Sequence, residues 1–297
     1  MKNNQLYTKS GKTISKIGIG TWTINKENIK NEVSALKFYF NNGVNYIDVV
    51  LAYDNGNTME VISEFLKTIP REEIFINAFI TYGCKKVEDI ETQINTYLKK
   101  LNTNYLDCVT LHSPVAIEFD FECYVKEITK LKSTNKFLNI GYSNLSPVQF
   151  EIIKNNCNYF EGLFNLECKI NEDNNIIKNC LEKNIAFYAY QPLRRNKTSK
   201  QNYLELINLS KKYNKTQNQI LINWMVKHKN LGTLIKSSNK EHIKENLNAL
   251  NFEMQLNDYL ILDNFRNKEF DNLAVTYTNE EGKIRIDQIP NQTIGNL

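Results

Sequence analysis

The chain of 297 residues has few of the residues that mark linkers, metal centres and disulfide frameworks. It contains only 5 prolines, 11 glycines and 3 histidines. Its 6 cysteines include no Cys-x-x-Cys pair, which is typical of thiols in a reducing cytosol rather than of a disulfide framework. The three histidines have no metal-ligand spacing, so we predict no metal site.

Long apolar runs and long basic runs are also absent. The N-terminus has no apolar signal core, and no apolar run approaches the length that spans a bilayer. The net charge of +4 is spread thinly, with no basic run longer than two residues, which argues against nucleic-acid binding. We therefore expect a cytoplasmic protein without a membrane or nucleic-acid partner. The sequence leaves open whether it is a monomer or a homo-oligomer.

What the chain does have is a composition suited to a large core, at 41% apolar and 24% charged residues. No linker divides it, so we predict a single domain over 1–297 with a C-terminal extension at 265–297. Short β-rich runs alternate with amphipathic helical patterns, and an extra helix is predicted at 216–227. The predicted strands are 16–20, 44–50, 74–80, 105–111, 138–142, 162–166, 185–190 and 232–236. The predicted helices between and after them are 28–41, 57–68, 87–101, 118–133, 147–156, 173–183, 200–213 and 240–249. Eight such units predict an α/β fold, a (β/α)8 TIM barrel.

The second predicted strand contains an acid that needs an explanation. In "VNYIDVVLAY", Asp48 interrupts a run of apolar residues, and Tyr53 follows just past the strand. A carboxylate buried in a strand costs several kcal/mol unless it is paired. Asp48 could cap local backbone N–H groups, but polar residues end several of the other strands too. Because the reactive residues of a TIM barrel lie where strands end, we interpret Asp48 as part of a site.

Eight motifs in order resemble the aldo-keto reductase family. They cover the chain from about 17 to 263 and are "GIGTW" (18–22), "IDVVLAY" (47–53), "REEIFI" (71–76), "LDCVTLH" (106–112), "IGYSN" (140–144), "AYQPL" (189–193), "TQNQILINW" (216–224) and "IKSSNKEHIKEN" (235–246). The resemblance implies a barrel without a separate dinucleotide-binding domain, which binds extended NADP(H) across the strand ends. It also implies reduction of a carbonyl group on a small molecule.

By this resemblance, Tyr53 is the general acid, His112 is its partner, and Asp48 lies behind both. A tyrosine has an ordinary pKa of about 10 and must be tuned to exchange a proton near pH 7. The residues that the resemblance assigns to cofactor binding are Thr21, Trp22, Asp48, Ser143, Asn144, Asn165, Tyr190, Gln191, Leu193, Lys236, Ser237, His242, Glu245 and Asn246.

The sequence departs from the family pattern next to Asp48. The family holds a lysine at the end of strand three, where it pairs with the aspartate, whereas this chain has Phe79. Phe79 cannot carry the charge, so the catalytic set is incomplete. Lys85, in the loop that follows, could supply an ammonium group, although we interpret it as a solvated loop charge.

Two further departures affect the predicted cofactor contacts. Asn165 stands where the family has a glutamine, and it either contacts the nicotinamide amide or caps the following turn. His242 stands where an arginine usually binds the 2′-phosphate, and a neutral imidazole binds that phosphate more weakly. Lys240 and Lys244 could compensate. NADP(H) is the predicted cofactor, with NAD as the alternative.

The sequence therefore leaves three functions open. The first is an NADP-dependent carbonyl reductase with an altered acid set. The second is a redox-neutral lyase or epimerase that uses Asp48 as a base. The third is a non-catalytic protein that binds a cofactor or a partner on the reductase fold. The alternating stretch 273–287 predicts a β-hairpin in the C-terminal extension.

Overall fold

A closed barrel of eight parallel strands forms the centre of the molecule, which confirms the predicted (β/α)8 fold. The computed structural model describes residues 5–8, 11–80, 86–112, 121–267, 277–278 and 284–285. An N-terminal antiparallel hairpin, β1 (Gln5–Tyr7) and β2 (Thr13–Ser15), precedes the barrel. The barrel strands are β3 (Ile17–Ile19), β4 (Tyr46–Val50), β5 (Phe75–Ile80), β6 (Leu106–His112), β7 (Phe137–Ser143), β8 (Tyr159–Leu163), β9 (Ala186–Tyr190) and β10 (Leu231–Ile235). Each pairs with its sequence neighbours, and β10 closes the barrel against β3 and β9.

Amphipathic helices surround this barrel. They are α1 (Ile29–Asn41), α2 (Thr58–Leu66), α3 (Asp89–Leu101), α4 (Phe121–Leu131), α5 (Pro147–Ile153), α6 (Ile170–Asp173), α7 (Ile176–Glu182), α8 (Leu204–Tyr213), α9 (Gln217–Val226), α10 (Lys240–Leu247) and α11 (Leu256–Asn264). In α3, the residues at helical spacing, Ile90, Ile94 and Tyr97, are buried. Capping boxes at Ser146 and Thr216 fix the starts of α5 and α9. None of the helices in the described segments is long and apolar enough to cross a membrane.

The barrel has an outer and an inner core. Ile47, Val49 and many other strand residues pack outward against the helices. The alternate residues point inward, where Tyr46, Phe75, Tyr159 and Tyr188 fill the lower barrel. Leu6 and Ile14 of the N-terminal hairpin join this inner cluster and close its base. Gly18 is required here because a Cβ at that position would overlap the Tyr46 ring.

The structure corrects several predicted boundaries. The sixth barrel strand spans 159–163 rather than 162–166, so Asn165 lies beyond its end. The helix predicted at 173–183 is divided into α6 and α7, because Asn175 between them adopts a left-handed conformation with φ 59°. The N-terminal hairpin and α11 have no counterpart among the predicted elements.

At the C-terminus the structure describes only two short strands beyond residue 267. These are β11 (Tyr277–Thr278) and β12 (Ile284–Arg285), which pair in antiparallel fashion. The remainder of the extension predicted at 265–297 lies outside the described residues. So do Cys84 and Lys85.

Candidate active site

Asp48 lies inside the barrel without a cationic partner among the described residues. It follows Tyr46 by two residues on β4 and therefore shares its inward face. Its Oδ1 accepts the backbone N–H of Thr21 at 2.8 Å, from the loop after β3. Burial raises the pKa of Asp48 to about 7, although the Thr21 N–H opposes this shift. The side chain is only 7% exposed, so it is a buried acid that gains or loses a proton near neutral pH.

An aromatic side chain lies on the adjacent strand, β5, one inward position beyond Asp48. Phe79 of β5 lies beside Val50 in the strand register, two residues beyond the Asp48–Asn77 pair. It is 3% exposed, and its ring meets the His112 ring edge-on at 5.6 Å between centroids. The Phe79 ring therefore lies between β4, which carries Asp48, and β6, which carries His112.

His112 ends β6 and is held by the neighbouring strand. Its Nδ1 lies 3.0 Å from the Oγ of Ser143, its register partner at the end of β7. Burial lowers the pKa of His112 to about 4, so the ring is neutral at physiological pH. If the Ser143 hydroxyl donates to Nδ1, the ring proton is on Nε2, and His112 is a neutral donor.

Tyr53 stands at the start of a short turn just beyond β4, in a stack of side chains at the barrel mouth. Its ring lies 5.9 Å from that of Trp22, with 28° between the planes. The guanidinium of Arg195 also packs over the Trp22 ring, 4.6 Å from its centroid. Asp48 and Tyr53 therefore both contact the loop after β3, Asp48 through Thr21 and Tyr53 through Trp22. Sequence reasoning missed Arg195, which no charge pattern distinguishes from other surface cations.

The predicted nicotinamide contacts divide into two groups. Tyr190 ends β9 and donates its hydroxyl to Asn144 Oδ1 at 3.0 Å, so these two residues and Ser143 are neighbours at the mouth. Asn165 instead caps a turn, because its Oδ1 accepts the N–H groups of Glu167 and Cys168 at 3.0 and 2.9 Å. Its amide nitrogen donates to the Gln191 carbonyl at 3.3 Å. Of the two roles predicted for Asn165, these contacts favour the cap.

A buried ion pair supports the loop that follows β9. Arg194 donates to Glu167 Oε2 at 2.7 Å, and Thr198 donates to the same oxygen at 2.8 Å. Gln191 and Arg194 have positive φ values of 52° and 45°, and Leu193 between them is buried. This pair fixes the loop that carries Gln191, Leu193 and Arg195 over the mouth.

The predicted phosphate site contains an unexpected acid. Lys236 lies just past β10, and its Nζ is 2.9 Å from Glu32 on α1, which is 6% exposed in its side chain. Ser238 also donates to Glu32, at 2.8 Å. The backbone N–H of Ser237 donates to the Tyr39 hydroxyl at 3.0 Å. The charge of Lys236 is therefore already balanced inside the protein.

The remaining predicted contacts lie on α10, the helix after this loop. Asn239 caps it by accepting the N–H groups of Glu241 and His242, and His242 is exposed. Glu245 accepts the Thr216 hydroxyl at 2.6 Å, and Asn246 is buried. Within the described residues, no three His, Cys, Asp or Glu side chains form a metal-ligand group.

Below the mouth, a chain of hydrogen bonds crosses the barrel and ends on a second buried acid, Glu161. We call it the inner hydrogen-bond chain. Thr110 donates to Asn77 at 2.7 Å, and Asn77 donates to the Tyr46 hydroxyl at 2.9 Å. Tyr46 contacts the Tyr159 hydroxyl, which donates to Glu161 Oε2 at 3.0 Å. Sequence reasoning missed Glu161, although its period-2 spacing with Tyr159 was a usable signal.

Comparisons with known proteins identify the family. The model of the "Aldo/keto reductase family" matches residues 16–267. Aldo-keto reductase family 1 member A1 of Xenopus tropicalis is 28% identical over 287 residues, covering 84% of this chain and 86% of that protein. Methylglyoxal reductase YeaE of Escherichia coli (strain K12) is 24% identical over 277 residues, covering 89% and 95%.

Solved structures show the same fold. An aldo-keto reductase from Klebsiella pneumoniae in complex with NADPH superimposes with a TM-score of 0.81 at 21% identity, covering 89% of this chain and 95% of that one. The thermostable aldo-keto reductase Tm1743 gives 0.78 at 24% identity, covering 87% and 98%. With the family model matched over most of its length, the chain belongs to the aldo/keto reductase family.

Proposed function

We propose that this protein is an NADP(H)-dependent oxidoreductase that reduces the carbonyl group of a small molecule without a catalytic lysine. The observation that carries the proposal is the convergence of three strand ends. Asp48 and Tyr53 contact the loop after β3 through Thr21 and Trp22, respectively. The Phe79 ring of β5, the strand next to β4, packs against the His112 ring of β6. A phenol, an imidazole and an acid at one barrel mouth are suited to proton transfer to a carbonyl oxygen.

In this proposal Tyr53 and His112 act on the carbonyl oxygen. Tyr53 donates the proton, and neutral His112 orients the oxygen through an Nε2–H hydrogen bond. The Ser143 contact at 3.0 Å holds the ring in the orientation this requires. Because burial keeps the pKa of His112 near 4, its donor role is independent of pH above about 5.

The assigned contact residues fit the nicotinamide end of a dinucleotide better than its adenosine end. A bound nicotinamide would supply the hydride, and Tyr190, Asn144 and Ser143 form a connected polar wall suited to its amide. The Klebsiella pneumoniae relative in complex with NADPH supports the same cofactor. At the adenosine end we assign Lys236, Ser237, His242, Glu245 and Asn246, but Glu32 balances Lys236 there. We therefore expect weaker discrimination for the 2′-phosphate.

The raised pKa of Asp48 favours one alternative. An acid with a pKa of about 7 is suited to act as a base in elimination or epimerisation without net redox change. In that case Asp48→Asn abolishes turnover, while no reduced cofactor is consumed by the wild type.

Two measurements on the wild-type protein test the proposal. The first titrates NADPH and NADH by calorimetry. The second follows cofactor oxidation with a panel of aldehydes and ketones. The proposal predicts binding and carbonyl-dependent oxidation. Binding without turnover across the panel would instead identify a non-catalytic cofactor-binding protein, and failure to bind either nucleotide would contradict both.

A further inference from the structure

Arg195 is a cation at the barrel mouth that the proposed reaction does not use. Its side chain is exposed, and its guanidinium packs over the Trp22 ring, 4.6 Å from the centroid. Trp22 is 50% exposed and stacks on the Tyr53 ring at 5.9 Å. The guanidinium therefore lies no farther from the Tyr53 ring than these two distances added together. A small carbonyl compound can span that separation.

The guanidinium of Arg195 forms no ion pair with a carboxylate in the part of the chain that the structure describes. Glu167, the acid that supports this loop, accepts from Arg194 at 2.7 Å instead. Asp54, in the same turn as Tyr53, accepts a backbone N–H at 3.4 Å. The face of the Trp22 ring attracts a cation but does not replace the acceptors that five N–H groups require. The cation is therefore available to an anion at the mouth.

The backbone that carries Arg195 is held in an unfavourable conformation. Arg194, Arg195 and Asn196 have positive φ values of 45°, 56° and 63°, a region that residues with a Cβ rarely adopt. The buried pair of Arg194 with Glu167 holds one side of this segment, and Asn218 donates to Asn196 Oδ1 at 3.1 Å on the other. Strained backbone that its surroundings hold in place is common at ligand sites. The loop thus fixes the position from which Arg195 reaches Trp22.

A carboxylate is the anion that suits this arrangement. A guanidinium is charged at every physiological pH, and its planar set of N–H donors matches the two oxygens of a carboxylate. Beside it, the exposed part of the Trp22 ring is an apolar surface against which a short hydrocarbon segment can pack. Tyr53 borders the same ring. The site therefore offers a proton donor, an apolar surface and a cation in that order.

We propose that Arg195 determines substrate specificity, and that the substrate is a small aldehyde or ketone that carries a carboxylate group. This inference rests on the proposed function and leaves its reaction unchanged. The carbonyl oxygen lies at Tyr53 and His112, the carboxylate binds Arg195, and the carbon atoms between them cross the Trp22 ring. Arg195 takes no part in the transfer of the proton or the hydride.

Two pairs of substrates measure the preference for an acid. We compare para-carboxybenzaldehyde with its methyl ester, and succinic semialdehyde with butanal, by their kcat/KM values. The wild type should favour the acid in each pair. Arg195→Gln should reduce this acid-to-neutral ratio about tenfold, near the lower end for hydrogen bonds to charged groups because the site is exposed. Arg195→Lys keeps the charge but not the planar donor set, so it should retain part of the preference. Lys197→Gln is the matched control, since it removes an exposed cation from the same loop and should leave the ratio unchanged.

Tryptophan fluorescence tests the anion site without turnover. The chain has two tryptophans, and Trp224 is fully buried, so a ligand at the mouth acts mainly on the emission of Trp22. Pentanoate is titrated against the protein, with pentanamide as its neutral counterpart. We expect a saturable change in emission with pentanoate alone, and its loss in Arg195→Gln.

The results distinguish the two proposals. An acid-to-neutral ratio that Arg195→Gln leaves unchanged overturns the inference, while carbonyl-dependent NADPH oxidation still supports the proposed function. If Arg195→Gln weakens NADPH binding at an unchanged ratio, the guanidinium binds the cofactor's diphosphate and the inference is wrong. A pentanoate response that depends on Arg195, without NADPH oxidation by any carbonyl compound, contradicts the proposed function and the substrate class with it.

Discussion

The two ends of the barrel treat a buried aspartate in opposite ways. At the base, fully buried Asp107 accepts from Lys12 at 2.6 Å, from Arg71 at 2.8 Å and from the Ile76 N–H at 3.0 Å. Near the mouth, Asp48 accepts from the Thr21 N–H, and no cation pairs with it among the described residues. Both lie on barrel strands of the same sheet, so position in the fold alone does not explain the difference.

The difference between Asp107 and Asp48 separates a structural role from a chemical one. Carboxylates such as Asp107 connect distant parts of the chain through ion pairs and hydrogen bonds. An unpaired buried acid costs stability when it ionises. The hydrogen bond from the Thr21 N–H compensates only a small part of that cost at Asp48. We infer that Asp48 serves proton transfer, whereas Asp107 serves the fold through its ion pairs.

The largest expected effect is at the base. Asp107→Asn leaves Lys12 and Arg71 without their carboxylate, and breaking a buried pair from one side costs about 3–5 kcal/mol. Urea unfolding at pH 7 should show this loss of unfolding free energy. NADPH affinity should not change in the folded variant; a substantial loss of affinity would show that the two ends are coupled.

A pH-dependent effect is expected at Asp48. Its pKa is about 7 in the folded protein and 3.8 ordinarily, so the folded state keeps a proton that the unfolded state loses. The contribution of Asp48 to stability should therefore fall as pH rises from about 4 to 7 and stay constant above that, by at most roughly 4 kcal/mol. Asp48→Asn removes this contribution, because an amide does not ionise, so the difference in stability between the two proteins should change with pH over that range. Equal slopes in the two proteins, measured by urea unfolding between pH 4 and 8, would exclude the raised pKa.

Phe79→Lys makes the mouth resemble the base. An ammonium beside Asp48 should lower the pKa of the acid by about 1–3 units and take over its support of Tyr53. We expect kcat to rise about tenfold. Steady-state kinetics of carbonyl-dependent NADPH oxidation measures this change, and an unchanged or lower kcat would argue that the missing ammonium does not limit the reaction.

The smallest expected effect concerns Glu32. Replacing it with glutamine releases the charge of Lys236 while keeping a hydrogen-bond acceptor near Ser238. The ratio of NADPH to NADH affinity should increase about fivefold, equivalent to about 1 kcal/mol. Calorimetric titration of both nucleotides measures it. An unchanged ratio would mean that Lys236 does not contact the 2′-phosphate.

The sequence was sufficient for the fold and for several of the residues that stand at the strand ends. Alternation of strands and helices predicts the barrel, and the strand ends at His112, Ser143 and Tyr190 lie where the pattern predicted them. These signals are local, because each depends on periodicity within one element. Only the resemblance assigned chemical roles to those residues.

What the sequence could not predict depends on partners from distant elements. The sixth barrel strand was predicted three residues too late, at 162–166 instead of 159–163. An acid on the inward face of the real strand breaks the expected apolar alternation, whereas Leu163, Phe164 and Leu166 made the later stretch more apolar. The Lys236–Glu32 pair joins residues 204 positions apart. Asn165 had two plausible roles, and the turn at Glu167 favoured the cap only once its geometry was known.

The most direct test of the account follows the hydride itself. The wild-type protein is incubated with NADPH carrying deuterium at the transferable position of the nicotinamide and with an aldehyde that supports cofactor oxidation, and the alcohol is analysed by mass spectrometry. The account predicts one deuterium on the former carbonyl carbon for each cofactor oxidised. Alcohol without deuterium, or cofactor oxidation without alcohol, would contradict it.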